Sequence, residues 1–98
     1  MSVNRYLRDW APAPREAQEC RPWREGEPEN QVYVYPRPEQ PWLAIYYRRA
    51  WYACLARSRY RHADGRYSYM VDIDLEGIAS DSSRHFWYDD EAVIRLRW

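Results

Sequence analysis

From Gln31 onward, apolar and polar residues alternate with a period of two. In QVYVY, Val32 and Val34 face one way and Tyr33 and Tyr35 the other, so residues 31–35 predict a strand. Pro36, Pro38 and Pro41 then form a stiff break, because proline has no N–H to donate to a sheet. WLAIYY (42–47) predicts a second strand with Leu43, Ile45 and Tyr47 on one side, and Arg48–Arg49 predict a short connection.

The next two segments are the most informative. Tyr52, Cys54, Ala56, Ser58 and Tyr60 share one face of a predicted strand; Tyr67, Tyr69, Val71, Ile73 and Leu75 share one face of another. Between them sits His62-Ala63-Asp64-Gly65-Arg66. Asp-Gly between alternating segments signals a hairpin, since a type I′ turn needs positive φ at both central residues. With Asp64-Gly65 as a two-residue loop, Tyr60 opposes Tyr69, Ser58 opposes Val71, Ala56 opposes Ile73 and Cys54 opposes Leu75. The inward sets then coincide, as one buried face requires. On the other face Arg57 opposes Asp72 and Arg59 opposes Met70, and the Arg57–Asp72 pair contributes about 0.2–1 kcal/mol.

Residues 77–83 predict a polar turn, residues 84–88 a short strand with Phe86 and Tyr88 on one side, and Asp89-Asp90-Glu91 an acidic turn. Ala92, Ile94, Leu96 and Trp98 alternate with Val93, Arg95 and Arg97 in a final strand. The N-terminal part reads differently. Val3, Tyr6, Leu7 and Trp10 make one helical stripe, with Ser2 as N-cap, ended by Pro12 and Pro14. Residues 15–21 (REAQECR) predict a short helical turn, and residues 22–31 a loop rich in Glu, Pro, Gly and Asn. The expected organisation is an N-terminal arm and linker over residues 1–30 and a small β-barrel-like domain over residues 31–98. The fold class is mainly β: a small antiparallel barrel or a curled sheet, because no helical pattern separates the strands as a βαβ arrangement would require.

Ala50-Trp51-Tyr52-Ala53-Cys54-Leu55, Asp64-Gly65-Arg66-Tyr67, Val71-Asp72-Ile73 and Asp90-Glu91-Ala92-Val93-Ile94-Arg95 resemble the SH3-like barrels of the Tudor and Agenet kind. The resemblance covers residues 31–98 and implies an SH3-like barrel and an aromatic cage for methylated side chains. The chain departs from that pattern at Pro36–Pro41, and the first thirty residues have no counterpart in it.

Charge is uneven although it sums to zero. All 15 basic residues are Arg and none is Lys, against 15 acids. A histone-like polycation and an acidic DNA mimic are both excluded by that balance. Residues 42–70 hold six Arg against Asp64, or 6 − 1 = +5; residues 71–98 hold three Arg against seven acids, or 3 − 7 = −4. Ten Tyr, six Trp and one Phe cannot all be interior in alternating strands. Trp10 and Trp23, on the arm, are the candidate covers for the rest. Exposed Tyr, Trp and Arg are enriched at interfaces, and Arg forks grip carboxylate or phosphate. Arg48, Arg49, Trp51, Arg59, Tyr60, Arg61 and Arg66 are therefore the candidate binding surface. The competing reading is that these arginines pair with Asp72, Asp74 and Glu76 and merely solvate the outer face.

Catalytic signals are missing: His62 reads as a solvated loop residue, and no glycine-rich phosphate loop exists. Cys20 and Cys54 are far apart, and only His62 and His85 could join them, so neither a disulfide nor a metal nor any cofactor is expected. The charged N-terminus and the lack of a long apolar run lead to the expectation of a cytoplasmic protein with no membrane contact. The function that follows is non-catalytic protein–protein interaction through an aromatic and Arg-rich sheet face. Small size, missing catalytic groups and bipolar charge are similar in style to small phage-type inhibitors of larger assemblies, such as anti-CRISPR proteins. The alternative is binding of single-stranded nucleic acid or RNA by the same basic hairpin. Weak homo-oligomerisation through the oppositely charged segments is a further expectation.

Overall fold

In the computed structural model the described residues are 10–73 and 83–96. They form six antiparallel strands: β1 (Gln31–Val34), β2 (Trp42–Tyr47), β3 (Ala50–Arg61), β4 (Tyr67–Asp72), β5 (Ser83–Trp87) and β6 (Val93–Arg95). The sheet runs β5-β4-β3-β2-β6, and β1 also pairs with β3. The expected mainly β class holds, as an open sheet rather than a closed barrel. It nevertheless curls. Tyr47 of β2 packs edge-on against Phe86 of β5, with centroids 5.0 Å apart, although β3 and β4 lie between them in the ladder. The expected helical stripe at Val3, Tyr6 and Leu7, and the expected pairing of Leu75, lie outside the described residues.

The twelve residues of β3 carry two strands along one edge: β2 pairs with Ala50–Leu55 and β1 with Ser58–Arg61. The proline break occupies the step between them as a short 3₁₀ turn, Arg37–Glu39. Tyr35 N–H donates to Arg57 O and Ala56 N–H to Pro41 O, so backbone pairing continues across the step. Proline fits there because the ladder needs no donor from it.

The β3–β4 hairpin forms, but its register differs from the expected one. Gly65 alone in this loop has positive φ, at +90°. Gly65 N–H donates to His62 O, and His62 N–H to Arg66 O. The loop is therefore three residues, Ala63-Asp64-Gly65, with glycine in the left-handed position that closes such turns. One extra loop residue slides the pairing by one: Tyr60 meets Ser68 and Arg59 meets Tyr69, where Tyr60–Tyr69 and Arg59–Met70 were expected. A bulge between Ala56 and Ser58 then slides it again, so Ala56 meets Val71. A slip of one exchanges faces and a slip of two restores them. Hence Ala56 keeps the expected core-facing role, whereas Ser58 and Tyr60 turn to the opposite face. The expected Arg57–Asp72 contact survives at 3.5 Å, with both side chains about half exposed.

The type I′-like turn lies elsewhere. Tyr47 pairs with Ala50, and Arg48 and Arg49 between them have φ of 49° and 63°. Both are non-glycine residues in the left-handed region. Their N–H groups donate to the two oxygens of the Glu16 carboxylate, at 3.0 and 3.3 Å.

The core lies on the face shared by Leu43, Ile45, Cys54, Ala56, Val71, Phe86 and Val93, each at most 3 % exposed. The opposite face of β2 and β3, with Tyr46, Trp51 and Ala53, is buried too. There the arm supplies cover: Trp51 Nε1–H donates to Ala11 O, and Trp10 packs edge-on to Trp51 at 5.4 Å. Trp23, the other expected cover, instead stays half exposed and closes its own loop by donating from Nε1 to Pro28 O. Residues 15–21 are not the expected helical turn. Ala17 N–H donates to Tyr46 O, Trp87 N–H to Gln18 O and Cys20 N–H to His85 O, so the segment runs extended along β5 and touches β2. The free edge of β5 offers it more backbone partners than one isolated helical turn would.

Arg15 anchors this segment, its guanidinium donating to Asp89 at 2.6 and 2.9 Å and to Glu91 at 3.0 Å. Burial by itself would raise the Asp89 carboxyl. Arg15 and the N–H groups of Glu91 and Ala92 outweigh it and hold that carboxyl below its ordinary value of 3.8. An acid whose folded-state value is depressed contributes stability above its unfolded value and loses it as pH falls through the folded one. Urea midpoints are therefore expected to stay level with respect to this group above about pH 4 and to fall in more acidic solution. Asp89→Asn should flatten that part of the profile; an unchanged acid limb would contradict the assignment.

Candidate functional site

Two constellations sit at the hairpin end of the sheet, one on each face. On the first, Tyr33, Arg59 and Tyr69 oppose one another across β1, β3 and β4, and Gln31, Arg61 and Tyr67 form the next row. The Arg59 guanidinium lies 5.9 Å from the Tyr33 ring centre and 5.5 Å from that of Tyr67, a two-sided cation–π contact. Tyr33 also meets Tyr35 edge-on at 5.1 Å. β1 is exposed throughout: Val32 is 50 %, Tyr33 47 % and Val34 69 % exposed. Among the described residues only β3 pairs with it, so its outer edge presents unpaired backbone groups beside an aromatic and Arg-rich patch.

On the second face the chain assembles a continuous column. The Arg66 guanidinium stacks 4.0 Å from the Trp87 ring, Trp87 lies 4.4 Å from His62, and Tyr60 lies 4.4 Å from His85. Ser68 Oγ, fully buried, joins the two halves at 2.6 Å from Nε2 of both His62 and His85. A serine hydroxyl has one proton. With both imidazoles neutral, it donates to one Nε2 and accepts from the other ring's Nε2–H. Burial pushes both histidines below their usual 6.5, for His85 with the help of His62, and at His62 with Asp64 opposing and Arg66 assisting. Cys20 completes the group. Burial raises its thiol, and a hydrogen bond with Ser68 and the charges of Arg21 and Arg66 offset part of that rise. Ring nitrogens of both histidines and Cys20 Sγ lie within 4.8 Å of one another. Cys20 and His62 open onto a pocket of about 380 Å³ between the residue 21–30 loop and the β3–β4 turn.

The seven residues expected to form one surface are thus dispersed. Arg48 and Arg49 form the β2–β3 turn, and Trp51, 7 % exposed, is core beneath the arm. Both positions are at the far end of β3 from the other four. Arg59 and Arg61 share the tyrosine face. Tyr60 and Arg66 belong to the histidine column on the other side, and Arg66 also pairs with Asp64 at 2.7 Å. His62 is a half-buried, hydrogen-bonded member of that column, not the solvated loop residue expected from its place beside Asp64. The separation of Cys20, His62 and His85 argued against a shared site; the sheet removes that separation by pairing β5 with β4 and the arm with β5.

Comparison with family models, curated proteins and solved structures found no match. Among the described residues no helix is long and apolar enough to cross a membrane.

Proposed function

We propose that this is a non-catalytic binding protein that captures another protein by the tyrosine–arginine face and the open β1 edge. The observation that carries the reading is Arg59 held between Tyr33 and Tyr67 beside a fully exposed apolar strand. An extended segment of a partner can add to such an edge by backbone hydrogen bonds. Rigid Tyr rings and an Arg fork beside it supply the side-chain selectivity. On this reading the chain acts by covering a surface of a larger assembly, in the manner of an inhibitor. A basic, stacking-competent face also suits single-stranded nucleic acid, which Arg61 beside Tyr67 favours.

Affinity capture followed by competition separates these readings. Wild-type protein is expected to retain a protein partner at moderate salt, and Arg59→Ala/Arg61→Ala or Val34→Lys to weaken capture by roughly tenfold or more. Both changes are at exposed positions; Val34→Lys should alter stability by no more than about 0.5 kcal/mol and the arginine pair by about 1–2 kcal/mol through the lost cation–π contacts. Capture indifferent to both variants would remove the proposal. Oligonucleotide binding that collapses between low and moderate salt would select the nucleic-acid reading.

A further inference from the structure

We propose that Cys20, His62 and His85 form a binding site for a borderline-soft divalent cation of the zinc type, which staples the N-terminal arm to the sheet. The three donors come from three separate segments: the extended arm, the residue that follows β3 and the middle of β5. One thiolate and two imidazoles are a donor set suited to zinc, whereas calcium and magnesium prefer oxygen ligands. Their ligating atoms lie within 4.8 Å of one another. Tetrahedral zinc with bonds of about 2.0–2.3 Å needs donors separated by about 3.3–3.7 Å. A shift of about an ångström in side chains therefore completes the geometry.

The arrangement around Ser68 supports the same conclusion. Both Nε2 atoms aim at its oxygen from 2.6 Å, and Cys20 Sγ lies within 4.8 Å of a ligating nitrogen of each ring. Two imidazoles thus converge on one buried point, with the Cys20 thiol beside them. A cation there accepts electron pairs from all three at once. Rotation of Ser68 Oγ leaves that point free for the metal. The pocket bordered by Cys20 and His62 supplies the entry path and room for water as fourth ligand. Coordination requires the thiolate, so the Cys20 proton leaves to solvent. No disulfide ties the arm down, since both cysteines are free. A metal cross-link would add to the hydrogen bonds, ion pairs and Trp10 packing that hold the arm.

Titration of the reduced, metal-stripped full chain with Co²⁺, then Zn²⁺, tests this. The expected result is saturation at one equivalent, with tetrahedral cobalt absorption and a thiolate-to-cobalt charge-transfer band. Zn²⁺ should displace the cobalt and raise the unfolding temperature. Cys20→Ser is expected to abolish the charge-transfer band and weaken binding by more than the 10–100-fold typical of outer-shell changes. Cys54→Ser, with the other thiol altered, should leave the band in place. Ser68→Ala removes the hydrogen-bond hub and should retain one-equivalent binding. Absence of saturable cobalt binding by the wild-type chain would overturn the proposal, as would a charge-transfer band that persists in Cys20→Ser or loss of binding in Ser68→Ala. None of these variants touches the tyrosine–arginine face, so capture of a partner is read independently.

Discussion

Phe86→Ala is expected to lower the unfolding free energy by about 3–5 kcal/mol, the largest effect of any single substitution considered. Phe86 is fully buried in β5 and packs against Tyr47 from across the sheet. It also sits where β5 receives both β4, through Tyr69, and the arm, through Glu19. Truncation removes apolar burial from the point at which the sheet curls, and the close-packed surroundings leave a cavity that cannot collapse fully. Small domains have about 5–15 kcal/mol of stability in total, so the variant should be substantially unfolded at moderate temperature. Urea unfolding followed by tryptophan fluorescence measures it. Phe86→Leu, which keeps most of the volume, should fall well short of that loss; equal losses for the two variants would contradict the packing argument.

The second large effect runs the other way. Arg48→Asn with Arg49→Gly is expected to raise stability by about 1–2 kcal/mol, because the left-handed conformation costs an ordinary residue about that much per position and Asn-Gly is the preferred pair for such turns. That gain corresponds to roughly 4–8 °C in unfolding temperature per kcal/mol for a domain of this size. Glu16 now compensates by accepting both turn N–H groups. Glu16→Gln should therefore destabilise the parent by about 1 kcal/mol and cost less in the Asn-Gly background, where the turn no longer depends on that clamp. Additive effects of the two changes, in a double-mutant cycle read by thermal unfolding, would show that Glu16 does not support the turn. The same Asn-Gly variant bears on function. These arginines are remote from the tyrosine face, so partner capture should survive their removal.

Local patterning made the strands legible. Period-two alternation located β2, β3 and β4 because half-buried strands must present apolar side chains to one side. The prolines located the step between β1 and β2 because they cannot serve a ladder. Asp64-Gly65 located the hairpin but not its loop length. Glycine at positive φ suits both a two-residue and a three-residue turn, and only backbone hydrogen bonds distinguish them. That one-residue difference, with the bulge at Arg57, decided which face Tyr60 and His62 occupy. The seven-residue surface was misplaced for the same reason: charge and aromaticity are counted along the chain, but a face is set by pairing.

What the amino-acid order fixed by itself was the class: a β sheet interrupted by proline, with Leu43, Ile45, Cys54, Ala56, Val71 and Ile73 turned inward. These follow from short-range sterics and from the removal of apolar side chains from water. Tertiary structure alone decided that the arm runs extended beside β5, that the sheet curls without closing, and that Cys20, His62 and His85 meet around Ser68. The physical reason is that these contacts join segments distant along the chain. Their positions depend on ladder register, which one loop residue and one bulge can shift while the alternation of apolar and polar residues stays the same.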